Sequence, residues 1–212
     1  MRPRLHWCPT GAFTALPLHA AGAQNRIGEA CFDYVVSSYT PSLHALLRAR
    51  AQAKDVRVDD LSALLIGVPD APNMPRLSKI SEELAAVTKS LAHVGIVPQR
   101  LEGEEATRAS VLRALTHASI FHLSCHGVQD PVEPLRSGFY LSDAKLAITD
   151  LIDVHLPQAF LAFLSACETA KGDQLQSDEA IHLSSALLFC GYPSVIATRW
   201  SVNSPVTVSC SH

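Results

Sequence analysis

The chain of 212 residues carries 17 basic and 20 acidic side chains, a net charge of −3, and 48% hydrophobic content. That composition describes a globular chain, not a disordered one, and makes no electrostatic case for a nucleic-acid partner. No stretch approaches the roughly 18 apolar residues of a membrane span, so no membrane partner is expected. The length suits a single α/β domain with a full core.

In chain order, Leu5 to Gly11 reads as a strand running into a turn, followed by an apolar run from Phe13 to Ala21 that Pro17 interrupts. Tyr34 to Tyr39 is rich in β-formers and halted by Pro41. Ser42 is placed to cap a helix covering Leu43, Leu46 and Leu47. Ala63 to Val68 is an apolar run ended by Pro69 and predicts a buried strand. After a Pro-rich loop, Leu77, Ile80, Leu84, Val87 and Leu91 recur at spacings of three and four, one face of a helix. Val94 to Val97 reads as a short strand, and Thr107 as the cap of a helix carrying Val111, Leu112 and Leu115.

Further along, Ile120 to Leu123 and Phe160 to Leu164 are short apolar runs of the kind found in parallel sheets. Between them, Phe139-Tyr140-Leu141 and Lys145-Leu146-Ala147 flank Ser142-Asp143-Ala144 as a hairpin. Thr149 is read as the cap of one helical turn, and Asp143 and Asp150 as turn and cap residues. A helix from Asp178 to Cys190, closed by Gly191, and a final strand from Ser194 to Ala197 complete the pattern. Strands alternating with helices predict an α/β fold, a mostly parallel sheet with helices on both faces. One domain is expected over residues 1–203, with 204–212 an atypical tail. No helical pattern follows the last strand, so the fold reads as C-terminally incomplete and prone to association through an uncovered face or open edge.

Each of the two central apolar runs leads into a distinctive string: Ser124-Cys125-His126-Gly127 and Ser165-Ala166-Cys167-Glu168-Thr169. In an open α/β sheet the ligand site lies outside the carboxyl ends of the strands. His126 and Cys167 would share that rim, as a base and the thiol it activates. Gly127, lacking a side chain, lets a substrate carbonyl approach its amide, and the Cys167 amide is the natural second oxyanion donor. Cys125 is the rival nucleophile, but neighbouring strand residues point in opposite directions, which sends it into the core. His122 reads as a hydrogen-bonded core histidine. His122, Cys125, His126 and Cys167 lack zinc-finger spacing, so no metal is expected. No G-x-G spacing supports a dinucleotide cradle, and no cofactor is expected.

These residues together resemble the CHAT domain, a caspase- and separase-like cysteine peptidase family. The resemblance rests on Phe121 to Gly127, Leu141-Ser142-Asp143 with Lys145-Leu146, Leu164 to Thr169 with Gly172, Asp178-Glu179-Ala180, Gly191 to Ile196 and Trp200-Ser201-Val202. Trp7 to Gly11 and Leu16 to Gly22 add to it. It implies a caspase-like three-layer sandwich. It also implies His126 as base, Cys167 as nucleophile, and the Gly127 and Cys167 amides as oxyanion hole. Thr198, Arg199 and Trp200, after the last strand, would line the substrate pocket; Glu168 is placed to order the loop or touch substrate. The implied partners are a protein or peptide substrate and helical-repeat regulatory segments.

Six cysteines spread from Cys8 to Cys210 without C-x-x-C spacing, and no apolar leader follows the basic start, so a reducing cytoplasmic setting is expected. Three functions compete: a caspase-like cysteine endopeptidase domain, a catalytically inactive interaction or scaffold module of the same fold, and a small-molecule-binding α/β domain.

Overall fold

A computed structural model describes residues 2–23, 26, 28–52, 56–128, 130, 132–165 and 180–197. In chain order it forms β1 (Arg4–Trp7), α1 (Cys31–Tyr34), β2 (Val36–Tyr39), α2 (Leu43–Gln52), β3 (Ala63–Gly67), α3 (Ile80–His93), β4 (Gln99–Glu102) and α4 (Arg108–Leu115). Then follow β5 (Ile120–Ser124), β6 (His126–Val128), β7 (Gly138–Tyr140), β8 (Lys145–Ala147), α5 (Ile148–Ile152), β9 (Leu161–Leu164), α6 (Ala180–Cys190) and β10 (Ser194–Ala197). Five strands pair in the order β10-β9-β5-β3-β4, every neighbour parallel. Two smaller sheets accompany them: a parallel β1-β2 pair and an antiparallel β6-β7-β8 sheet.

Strand alternation assigns the two faces of the central sheet. Leu64 and Ile66 of β3, Phe121 and Leu123 of β5, and Ala162 and Leu164 of β9 pack into one large core with α4, α5 and α6. Leu65 points the other way, into a smaller cluster with Ile80 and Leu84 of α3. All five residues of β3 are buried, as expected of a central strand with a helix on each face. Helix α3 comes very close at Gly67, where an added Cβ would lie 2.7 Å from Ile80 Cγ2. The α/β fold with a mostly parallel sheet, expected from the sequence, is the fold observed.

Several local expectations hold. The Ser42 hydroxyl accepts the Ala45 N–H at 3.1 Å, and that of Thr107 accepts the Ser110 N–H at 3.2 Å. The hairpin forms between β7 and β8 and closes through Leu141 N–H to Ala144 O. Two expectations need correction. Val94 to Val97 is not a strand: Gly95 takes φ 81° and the Ile96 N–H returns to Leu91 O, so these residues unwind the end of α3. Val97 is left 90% exposed, and pairing with β3 begins two residues later at Gln99. The cap of α5 is Ala147, not Thr149; the Asp150 carboxylate, one turn in, accepts the Ala147 N–H at 2.9 Å. Side-chain reach decides this, because a residue inside the helix can satisfy the first amide as well as one before it.

Candidate functional site

Strands β5 and β9 are direct neighbours in parallel register, Leu123 opposite Leu164. The ladder continues one step further, the Ser165 N–H donating to Leu123 O at 2.9 Å. On the other side of β5, the Val68 N–H donates to Ser124 O at 2.9 Å. The segments that lead to His126 and toward Cys167 therefore leave the sheet at the same carboxyl edge, from adjacent strands about 4.8 Å apart. Cys167 and Glu168 themselves, with Gly172, Thr198, Arg199 and Trp200, lie outside the described residues.

After β5 the chain bends at Cys125 and enters β6, which puts His126 opposite Tyr140 and Gly127 opposite Phe139. Phe139 and Leu146 bury the far side of this small sheet in the main core, so the histidine stands on an anchored strand rather than a free loop. Its side chain is fully buried. Nε2 lies 2.7 Å from Pro75 O. A carbonyl oxygen only accepts, so Nε2 carries the proton, and in the neutral ring Nδ1 holds the lone pair. Pro75 sits in the loop between β3 and α3, which is tied down by Met74 N–H to Ala71 O and Leu77 N–H to Pro69 O. That carbonyl fixes both ring orientation and tautomer, as an orienting group does in base-assisted nucleophilic sites.

Cys125 points away from this rim. It is 1% exposed within the main core, its Sγ 3.5 Å from His126 O. Desolvation pushes its thiol far above the ordinary range, which disfavours the thiolate that nucleophilic attack needs. The alternation argument from the sequence thus describes the packing correctly.

Beneath the rim, on the α3 side of β5, lies a buried polar group that the sequence reading missed. Glu83 is 2% exposed. The Ser124 hydroxyl donates to its Oε2 at 3.1 Å, and its Oε1 lies 3.1 Å from His122 Nε2 without hydrogen-bond alignment. The His122 ring packs at 5.1 Å from that of Phe163. His122 is thus a core histidine as expected, but its Nε2 faces the Glu83 carboxyl without the hydrogen bond expected of it. A signal for it existed: Glu83 stands three residues after Ile80 and four before Val87, on the apolar face of α3.

Asp143 and Asp150 are structural, in keeping with their sequence reading. Asp143 Oδ1 accepts the Arg108 backbone N–H at 2.8 Å, and Asp150 Oδ2 accepts from Arg108 Nε at 2.9 Å, with a second guanidinium contact to Oδ1. Hydrogen bonding to Arg108 lowers the Asp150 carboxyl below its usual range. The pair ties α4 to α5 beside the hairpin.

Among the described residues, no helix is long and apolar enough to cross a membrane. No curated protein matches the chain. The family model for the CHAT domain matches residues 1–210, nearly its whole length. Taken with the parallel sheet and the neighbouring strands β5 and β9 that lead to the two strings, the match means that this chain belongs to the CHAT domain family.

Proposed function

We infer that the chain is a caspase-like cysteine endopeptidase domain, with Cys167 as nucleophile and His126 as base. One observation carries this reading: the strands that lead to the two residues are adjacent, parallel, and end together, with the His126 tautomer held by Pro75 O. In the reaction, Nδ1 of His126 takes the Cys167 thiol proton, and the thiolate attacks the substrate carbonyl carbon. The oxyanion that forms is met by the Gly127 and Cys167 amides. The imidazolium then protonates the leaving amine as the C–N bond breaks, and water hydrolyses the thioester. Thr198, Arg199, Trp200 and Glu168 are the substrate-binding residues of this proposal, a protein or peptide is its substrate, and the cytoplasm its setting.

A second reading, an inactive interaction module, is favoured by the complete burial of His126, which keeps substrate from the ring without local opening. One experiment separates the two without a known substrate. The intact chain is labelled to low stoichiometry with iodoacetamide and mapped by mass spectrometry. Catalytic pairing makes Cys167 the fastest of the six thiols, and His126→Ala slows it by about 100-fold, in line with a lost general base. Burial already slows two competitors: the Cys190 thiol is pushed up to about 11, and Cys125 further still. Faster labelling of exposed Cys8 than of Cys167, with no effect of His126→Ala, would leave the module reading standing.

A further inference from the structure

Helix α3 and the loop before it grip the end of β5 at more than one point. Side chains of a strand alternate between its faces. Phe121, Leu123 and Cys125 turn to the main core, while His122 and Ser124 turn to the side of α3. His126, past the bend, meets that side again through Pro75 O. His122, Ser124 and His126 thus all face one segment, residues 75–83, and Glu83 meets two of the three.

The segment is held close against the sheet. Gly67 of β3 lies opposite Ser124 in the ladder, and its missing side chain lets Ile80 and Leu84 of α3 seat directly on the strand. The loop ahead of the helix is closed by Arg76 Nη1 donating to Asp70 Oδ2 at 2.7 Å, besides its backbone bonds. Glu83 lies one turn into α3, its N–H donating to Lys79 O at 3.0 Å, and its carboxyl accepts the Ser124 hydroxyl at 3.1 Å. One anchored unit therefore touches the chain on both sides of Cys125, at Ser124 and at His126. Stability gives little reason for a carboxyl at this place. Burying an ionisable group is costly, and an apolar set of similar volume is often as stable or more so.

We propose that Glu83 is a positioning residue for His126. Its bond to Ser124 fixes one register of α3 on the end of β5, and that register carries Pro75 O to the point where it holds His126 Nε2–H. A directional bond does this where apolar packing alone would allow several registers. The gain is in ring placement, since a misplacement on the order of 1 Å at a reacting group can cost about 100-fold in rate. The catalytic meaning of the role rests on the reading of His126 and Cys167 above; the positioning itself does not.

The test follows the His126 ring and the Cys167 thiol separately. Ring nitrogens of the full chain, made with isotope-labelled histidine, are read by NMR at about pH 8, above the usual imidazole range. The His126 signals are assigned by their loss in His126→Ala. In the parent and in Glu83→Gln, whose amide oxygen still accepts from Ser124, His126 should be a single tautomer protonated at Nε2. In Ser124→Ala, and in the apolar set Glu83→Leu with His122→Phe and Ser124→Ala, both tautomers should appear. The same two variants should slow iodoacetamide labelling of Cys167 at neutral pH by about tenfold, less than loss of the ring itself. Its pH profile should then rise only toward about 8.5, the ordinary thiol value. Lost stability alone would not do this, because the apolar set leaves no buried polar group behind and should unfold later in urea than Glu83→Ala. A single Nε2 tautomer in both Ser124→Ala and the apolar set overturns the proposal, and so does its loss in Glu83→Gln. If Cys167 labels no faster than exposed Cys8 and ignores His126→Ala, the peptidase reading fails instead, and the tautomers alone decide the role of Glu83.

Discussion

The buried Glu83 group makes a demanding prediction about stability. Glu83→Ala removes the acceptor of the Ser124 hydroxyl and the carboxylate facing His122, leaving both side chains where each is 2% exposed. A buried hydroxyl stripped of its partner costs about 1–3 kcal/mol, and the cavity left by the removed side chain adds to it, whereas the His122 contact, without hydrogen-bond alignment, adds less. Against a typical domain stability of about 5–15 kcal/mol that is a large fraction. Glu83→Gln keeps the volume and an acceptor for Ser124, and should cost about 1–2 kcal/mol, the range of one hydrogen bond. The informative variant replaces the whole set, Glu83→Leu with His122→Phe and Ser124→Ala. Because it leaves no buried polar group behind, it should be more stable than Glu83→Ala despite three changes. Equilibrium urea unfolding followed by far-ultraviolet circular dichroism reads all three. A loss below about 1 kcal/mol for Glu83→Ala, or an apolar triple variant no better than the single one, would refute the reasoning.

Two further outcomes follow from local geometry. Arg108 holds the Asp150 carboxyl below its usual range, so Asp150 contributes stability above the ordinary value of about 3.9 and loses it as pH falls through the lowered folded value. The melting temperature of Asp150→Asn should therefore lie furthest below that of the parent at neutral pH and approach it in acid; parallel curves would contradict this. Gly67→Ala puts a methyl 2.7 Å from Ile80 Cγ2 and 3.0 Å from Leu84 Cδ2, and should cost about 1–3 kcal/mol by overpacking, where a glycine replaced in an ordinary strand would gain. An unchanged or raised urea midpoint would show that α3 yields more easily than its packing suggests.

What the sequence alone determined was the part set by local pattern. The apolar runs before His126 and Cys167 and the final run at Ser194–Ala197 are strands because short β-prone stretches bounded by turn signals have few other places to go. The position of Cys125 was equally legible, since the side-chain period of a strand sends it away from its neighbour. Pattern failed where tertiary pairing overrides propensity. Val94 to Val97 looks like a strand, yet the polar Gln99–Glu102 pairs with β3, because Gly95 turns the chain at the end of α3 and the ladder begins only at Gln99. Only the tertiary structure could nominate Pro75, since a backbone carbonyl 51 residues from His126 leaves no trace in side-chain identity. The same holds for the Glu83 contacts with His122 and Ser124. Each is made by groups far apart in the chain, brought together when burial of both faces of the sheet fixes where α3 must lie.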